Sequence, residues 1–126
     1  MNQQNTDFLL GTFKFFDPRF SCFDCGDGWF ELIKQTCAKL QALDIAGLEV
    51  DCVKEKFGGL RIGVSDIRGM SWEDQKKVID ILSEAEEKSC SICENCGNKG
   101  EPRVTGRVFK VAKTLCSLCH LENTAP

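Results

Sequence analysis

Two pairs of cysteines near the end of the chain have the spacing of metal ligands. Cys93 and Cys96 are separated by two residues, as are Cys116 and Cys119, and nineteen residues lie between the pairs. Two residues between cysteines let one tight turn present both sulfurs to a single ion, and the double pattern is typical of structural zinc sites. Gly97 follows the first pair and can adopt the positive φ of such a turn. The sequence therefore predicts one structural Zn²⁺ held by four thiolates.

Neighbouring residues leave this ligand set open. Cys90, Cys93 and Cys96 also form a Cys-x2-Cys-x2-Cys run, which with one distant cysteine could hold an iron–sulfur cluster. His120 could replace Cys119 as a ligand. The knuckle glycine and the paired later cysteines favour zinc with four sulfur ligands.

A second metal site is an alternative use for the earlier cysteines. Cys22 and Cys25 repeat the knuckle spacing and are followed by a glycine, and Cys37 and Cys52 are candidate partners. However, Cys37 falls in a predicted helix and Cys52 in a predicted strand. Buried free cysteines behave as small hydrophobic residues, so the pattern favours core positions for these two.

Composition argues against secretion, membrane insertion and catalysis. The chain has 126 residues, nine cysteines and a net charge of −3, and its N-terminal residues lack a basic segment followed by an apolar core. No apolar run approaches the length of a membrane span. The single histidine, His120, lies beside the metal ligands, and no phosphate loop or Ser-His-Asp set is present. We therefore expect a non-enzymatic protein of a reducing cytoplasm.

Charge is concentrated in the segment between the cysteine pairs. Residues 97–115 carry five basic side chains against Glu101, on an otherwise acidic chain. These side chains are Lys99, Arg103, Arg107, Lys110 and Lys113. A basic loop of this kind could contact phosphates, or it could be a solvated surface.

The first half of the chain predicts an aromatic arm and a helix. Residues 1–21 are rich in phenylalanine and predict an irregular arm that packs onto the body. Asp27 is a candidate N-cap for a helix over 28–43. The predicted buried stripe of that helix is Trp29, Ile33, Cys37 and Leu40.

A β-hairpin is predicted next. Residues 48–57 form a strand, Gly58-Gly59 a two-residue turn, and 60–65 the returning strand. This register places Phe57 opposite Leu60 on the buried face, where Glu55 interrupts the apolar pattern. A change of parity along the first strand indicates a bulge near 52–53.

A second helix leads into the metal lobe. Ser71 is a candidate N-cap for a helix over 72–88. Its predicted inward stripe is Trp72, Gln75, Val78, Ile79, Leu82 and Ala85. Residues 107–111 predict a short strand of a small hairpin between the knuckles. The predicted fold is thus α+β: helix, β-hairpin and helix packed together in a body over 22–89, then a zinc ribbon over 90–126.

Two longer motifs give a resemblance. CGDGWF at 25–30 and VKEKFGGLR at 53–61, with the closing cysteine pairs, resemble small zinc-ribbon proteins found largely in bacteriophages and prophages. The resemblance covers about residues 23–120. This chain departs from the pattern at Cys119, where relatives often have histidine, and at Ile62, where an aromatic residue is common. The resemblance implies phage origin and action inside the bacterial host cell.

Two functions are compatible with these features. The first is a protein-interaction module that binds a host protein, for example one of a defence system, and inhibits or redirects it. Its contacts would come from the hairpin residues Lys54, Lys56 and Arg61. The alternative is a nucleic-acid-binding ribbon that uses the loop 97–115, in particular Arg103 and Arg107. Neither interpretation fixes the partner or the oligomeric state.

Overall fold

The chain folds into mixed α and β elements, as predicted. The computed structural model describes residues 1–106 and 109–124. In chain order the helices and strands are α1 (Gln3–Thr12), β1 (Phe23–Asp24), α2 (Phe30–Ala42), β2 (Glu49–Lys56), β3 (Gly59–Ser65), α3 (Trp72–Ser89), β4 (Glu101–Thr105), β5 (Val111–Leu115) and α4 (Ser117–Thr124). Short 3₁₀ turns over Asp27–Trp29 and Ile67–Gly69 precede α2 and α3.

Two sheets divide the elements into a body and a metal lobe. In the body, β2 lies between β1, which is parallel to it, and β3, which is antiparallel. In the lobe, β4 and β5 form an antiparallel hairpin. Each part has its own cluster of buried apolar residues, and the smaller cluster contains Cys93, Leu115 and Cys119. None of the helices in the described residues is long and apolar enough to cross a membrane.

The predicted core stripe of the first body helix is confirmed, but its cap is not. All four stripe positions are fully buried: Trp29, Ile33, Cys37 and Leu40. The α-helix begins at Phe30, after a 3₁₀ turn that Asp27 opens without a side-chain cap. The Asp27 carboxylate instead accepts hydrogen bonds from the backbone N–H of Asn2 at 2.7 Å and the Asn5 side chain at 3.1 Å.

The N-terminal segment is helical over Gln3–Thr12, so the prediction of an irregular arm was wrong there, and it is confirmed for the residues between α1 and β1. Asn2 caps α1 by accepting from the Asn5 backbone N–H at 2.8 Å. The helix has little amphipathic pattern, and tertiary contacts hold it: Leu9 is fully buried and the Met1 ammonium donates to Cys25 O at 2.7 Å. Periodicity could not have revealed a helix whose stability comes from contacts with distant residues.

The phenylalanines that follow α1 pack onto the body, as predicted. The rings of Phe16, Phe20 and Phe23 are in mutual contact, with centroids 4.8–5.5 Å apart. The Phe15 carbonyl accepts from the Val50 N–H at 2.8 Å, so the segment runs beside β2. Aromatic contacts of this kind add to the area buried in the body core.

The hairpin turn lies one residue earlier than predicted. Lys56 pairs with Gly59, so the two loop residues are Phe57 and Gly58, with φ of 54° and 85°. Positive φ at both loop positions defines the turn that matches strand twist. As a result Phe57 is 77% exposed instead of buried. Glu55, not Phe57, pairs with Leu60.

The predicted bulge is present close to its expected place. The register of β2 and β3 shifts between Val50 and Cys52 and leaves Asp51 unpaired. The shift brings both Val50 and Val53 to the buried side of the strand. One extra residue in a strand produces this change of parity.

The second body helix has the predicted cap and part of the predicted stripe. Ser71 Oγ accepts from the Asp74 N–H at 3.2 Å, and α3 ends one residue later than expected. Val78 and Ala85 are buried. Trp72, however, is 75% exposed, and Ile79 is also exposed. The buried stripe is centred on Val78, Ala85 and Ser89, and both exposed residues lie at least about 100° around the helix from Val78.

A buried carboxylate gives a pH-dependent prediction. Asp17 accepts hydrogen bonds from the Arg19 guanidinium at 3.2 Å and from the Arg19 N–H at 2.7 Å, and these contacts lower the Asp17 pKa to about 2. A lowered pKa in the folded state stabilises the fold above the ordinary value of 3.8, and the contribution is lost as pH falls towards 2. We expect Asp17→Asn to lower the melting temperature at pH 7, with a gap to wild type that closes between about pH 4 and 2.

The control for this prediction is Asp44→Asn, the same chemical change at an exposed site. Thermal denaturation at a series of pH values measures both variants. A gap for Asp17→Asn that persists unchanged at pH 2 would contradict the assignment.

Candidate metal centre and its contacts with the body

The four predicted cysteines come together in the lobe. The sulfurs of Cys93, Cys96, Cys116 and Cys119 all lie within 4.8 Å of one another, and Cys96 Sγ is 3.7 Å from Cys116 Sγ. Four sulfurs at about 2.3 Å from one ion would be about 3.8 Å apart at the corners of a tetrahedron. The arrangement can hold a single metal ion.

The first knuckle, residues 93–97, has the turn that the sequence predicted. Gly97 has φ of 83°, and its N–H donates to Cys93 O at 2.9 Å. The second pair is presented by the end of β5 and the start of α4, where the Cys119 N–H donates to Cys116 Sγ at 3.5 Å.

The protein environment makes one of these thiols acidic. Burial raises the pKa of Cys93, but backbone N–H groups of Cys116, Cys96 and Asn95 outweigh it and lower that pKa to about 7. In the same cluster, hydrogen bonding with the Cys116 sulfur raises the pKa of Cys119, so we expect binding of the ion itself to ionise the full set of four thiols.

The other candidate ligands lie outside the cluster. Cys90 is exposed, and its thiol faces Glu86 O at 3.5 Å. Neither Cys90 nor His120 belongs to the group of four, which is the one metal-competent group among the described residues. Four sulfurs this close fit one ion better than a cluster, which spreads its ligands around several irons.

The earlier cysteines do not assemble a second site in the described part of the chain. Cys22 is exposed, whereas Cys25 and Cys37 are buried. Burial raises the pKa of the Cys25 and Cys37 thiols to about 12, so both remain neutral. These two cysteines act as small core residues.

The CGDGW motif is the surface on which the first knuckle packs. The Gly28 N–H donates to Glu94 O at 2.7 Å, the Gly26 N–H donates to Glu94 Oε2 at 2.9 Å, and Trp29 Nε1 donates to Ile92 O at 2.8 Å. A Cβ at Gly26 or Gly28 would collide with the Glu94 carbonyl. Both glycines are therefore required by the close approach of two backbones.

The hairpin motif contacts the other half of the lobe. Thr114 Oγ1 donates to Gly58 O at 2.6 Å in a buried hydrogen bond. Lys113 Nζ lies 3.2 Å from Glu55 Oε2 and 3.5 Å from Glu94 Oε1. The charge of Glu55, which interrupted the predicted apolar face, is thus neutralised by the lobe. Two motifs that carry the family resemblance have a structural role, because both join the body to the metal lobe.

The predicted partner-binding residues differ in whether their charged groups are exposed or already paired within the chain. Lys54 and Lys56 are exposed. The observed register places Arg61 opposite Lys54, whereas the predicted turn at 58–59 would have placed it opposite Lys56. Arg61 forms an ion pair with Glu86 at 3.1 Å. Arg103 pairs with Glu101 at 2.8 Å and donates to Leu115 O at 3.1 Å.

The remaining partner-binding candidate, Arg107, lies outside the described residues, as does part of the predicted strand 107–111. The second strand of the lobe hairpin begins at Val111. Of the five basic residues in the loop, Arg103 and Lys113 are thus committed to contacts within the chain. Lys110 is exposed, and its Nζ donates to Gly106 O at 2.9 Å.

Sequence reasoning missed Phe57 as a surface residue. A shallow groove of about 350 Å³ lies beside it and is lined by Glu55, Lys56, Phe57, Lys110, Val111 and Ala112. The sequence held no local signal for this placement, because glycines at 58 and 59 are compatible with a turn at 57–58 or at 58–59. Placing the turn at 57–58 would have exposed the ring.

No family model, no curated protein and no solved structure matches this chain.

Proposed function

We propose that the chain is a small protein-interaction module whose four C-terminal thiolates hold a structural Zn²⁺. Four sulfur ligands leave no open coordination position for water or substrate, as in structural zinc sites. The bound ion would supply folding energy to a lobe whose buried cluster is small. The resemblance to phage proteins suggests a bacterial host protein as the partner, in the host cytoplasm.

The observation that carries this proposal is the conformation and exposure of Phe57. A non-glycine residue in the left-handed region costs about 1–3 kcal/mol, and this one also leaves 77% of its surface in water. The hairpin turn accounts for the positive φ, but it gives no reason for a large apolar side chain at this position. Aromatic side chains, phenylalanine among them, are enriched in protein interfaces, so a partner is the simplest reason for the exposed ring.

The ring is presented on a well-supported turn. Gly58 accepts the buried hydrogen bond from Thr114, and Lys56 Nζ lies 5.6 Å from the Phe57 ring centroid. A preorganised anchor loses less entropy on binding. Exposed Val111 extends the apolar area from the lobe side of the groove.

Charge around this turn indicates the chemistry of the partner. The exposed basic side chains here are Lys54, Lys56 and Lys110, in a protein whose net charge is −3. We infer that the partner offers an apolar pocket with an acidic rim. Nucleic acid is the alternative for a basic surface with an aromatic ring, but Arg103 and Lys113 are engaged in internal ion pairs, which weakens that interpretation.

Phe57→Asn should separate binding from stability. Asparagine adopts positive φ readily, so we expect the free energy of unfolding to stay the same or to rise by up to about 1 kcal/mol. Capture of the partner from bacterial lysate by the tagged variant should fall at least about tenfold, as expected for an interface anchor. Quantitative affinity capture and thermal denaturation measure the two effects.

Trp72→Ala is the matched control, because it removes an equally exposed aromatic ring from α3. It should leave capture unchanged. Capture that survives Phe57→Asn would contradict the proposed surface. Capture that disappears after nuclease treatment would indicate instead that the protein binds nucleic acid through the loop that contains Arg103 and Arg107.

A further inference from the structure

The four sulfurs of the metal cluster differ in their access to solvent. Cys93 is fully buried and Cys119 nearly so, whereas Cys96 is exposed and Cys116 is half-buried. The two accessible sulfurs belong to different knuckles and are 3.7 Å apart. They are therefore both reachable by a small solute and close to each other.

We propose that Cys96 and Cys116 form an oxidant-sensitive dithiol that responds to peroxide by closing a disulfide across the ribbon. The Cys96 thiolate attacks one oxygen of hydrogen peroxide, which gives a sulfenic acid and hydroxide. The Cys116 thiolate then attacks the Cys96 sulfur, forms the S–S bond and expels a second hydroxide. The two thiolates lose two electrons, and the peroxide takes them up with two protons to become two water molecules.

Burial decides where peroxide attacks first, and proximity favours the second sulfur. Cys93 and Cys119 are shielded from peroxide, and Cys116 Sγ lies 3.7 Å from the Cys96 sulfur that it must attack. The sulfurs of Cys96 and Cys116 need to approach by less than 2 Å to reach a bond of about 2.05 Å. After closure, the two remaining thiolates are too few to hold a structural metal.

The position of Cys116 links this reaction to the hairpin turn. Lys113 and Thr114 precede it on β5 and contact Glu55 and Gly58. Loss of the ion should therefore loosen the support beneath Phe57. This consequence rests on the proposed function, whereas the disulfide itself does not.

Peroxide treatment of the zinc-loaded full chain tests the proposal. A colorimetric chelator follows metal release, and tryptic mapping follows the disulfide. Cleavage at Lys88, Lys99 and Lys113 places Cys96 in peptide 89–99 and Cys116 in peptide 114–126. We expect these two peptides to become cross-linked in step with metal release, and fragmentation to locate the bond at Cys96 and Cys116.

The control is the double variant Cys22→Ser/Cys90→Ser, which removes two exposed thiols outside the cluster. It should release metal within about twofold of the wild-type rate, because neither thiol belongs to the group of four sulfurs. Separate peptides that each contain an internal disulfide would overturn the proposal. Metal retained under excess peroxide would also overturn it, and neither result would depend on whether Phe57 binds a partner.

Discussion

Removing the metal from the folded chain should destabilise the α+β body as well as the lobe. Structural zinc contributes about 10–16 kcal/mol in small zinc domains, which is comparable with the whole stability of a domain of about 5–15 kcal/mol. The lobe should therefore unfold without its ion. The body would lose the four hydrogen bonds that Gly26, Gly28, Trp29 and Gly58 make with the lobe. At about 1 kcal/mol each, their loss should lower the stability of the body by about 4 kcal/mol.

Trp29 reports this coupling directly. Its ring is fully buried and its indole nitrogen donates to Ile92 O, next to the first knuckle. The chain has two tryptophans, so Trp72→Phe leaves Trp29 as the single fluorophore. Chelation should shift its emission to longer wavelength and lower the melting temperature of the body. Cys96→Ser and Cys116→Ser should have the same direction of effect.

Cys22→Ser and Cys90→Ser provide the comparison, because both remove exposed thiols that the cluster does not use. Neither should change metal content or Trp29 emission. If chelation released the ion but left Trp29 emission and the body transition unchanged, the lobe and body would be independent, and the role assigned to the CGDGW motif would be wrong.

The metal cluster could be predicted from sequence because its geometry is local. Two residues between cysteines determine a turn, and Gly97 marks the position that needs positive φ. The buried stripe of α2 and the Ser71 cap could be predicted for the same reason, since helical periodicity and capping are short-range patterns. The resemblance to phage proteins rests on motifs that the comparisons do not test, and it stays a prediction.

The remaining features depend on distant residues. In the sequence, Gly26 is only the glycine that follows the Cys22–Cys25 pair, whereas the role of Gly26 and Gly28 comes from Glu94, almost seventy positions later. In the sequence, Glu55 interrupts a predicted apolar face. The fold explains it, because Lys113 of the lobe forms an ion pair with Glu55. Phe57 was assigned to the core because two glycines follow it, and both 57–58 and 58–59 were acceptable turns. Local patterns could not select between those registers, whereas the buried Thr114–Gly58 contact does.

Gly28→Ala should be one of the most damaging single substitutions in this chain. Its added methyl group would collide with the carbonyls of Cys93 and Glu94, which are backbone atoms that cannot rotate away. Overpacking of this kind costs about 1–3 kcal/mol or more, and the Gly28–Glu94 hydrogen bond would be lost as well. Because the displaced residues belong to the first knuckle, metal affinity should fall at least about tenfold, which corresponds to 1.4 kcal/mol. Denaturant unfolding and competition with a zinc chelator measure the two quantities.

Gly11→Ala makes the same chemical change with the opposite expectation. Gly11 lies inside α1, and a Cβ there would meet nothing within 4 Å. Alanine in a helix is more stable than glycine by about 0.5–1 kcal/mol, so this variant should gain stability and bind metal as the wild type does. We expect the free energy of unfolding to fall for Gly28→Ala and to rise for Gly11→Ala. Because both variants add one methyl group, the difference between them measures the contact with the knuckle. Equal stability for the two variants would mean that the body can move away from the knuckle, and the metal lobe would then be attached to the body mainly through Thr114 and Lys113.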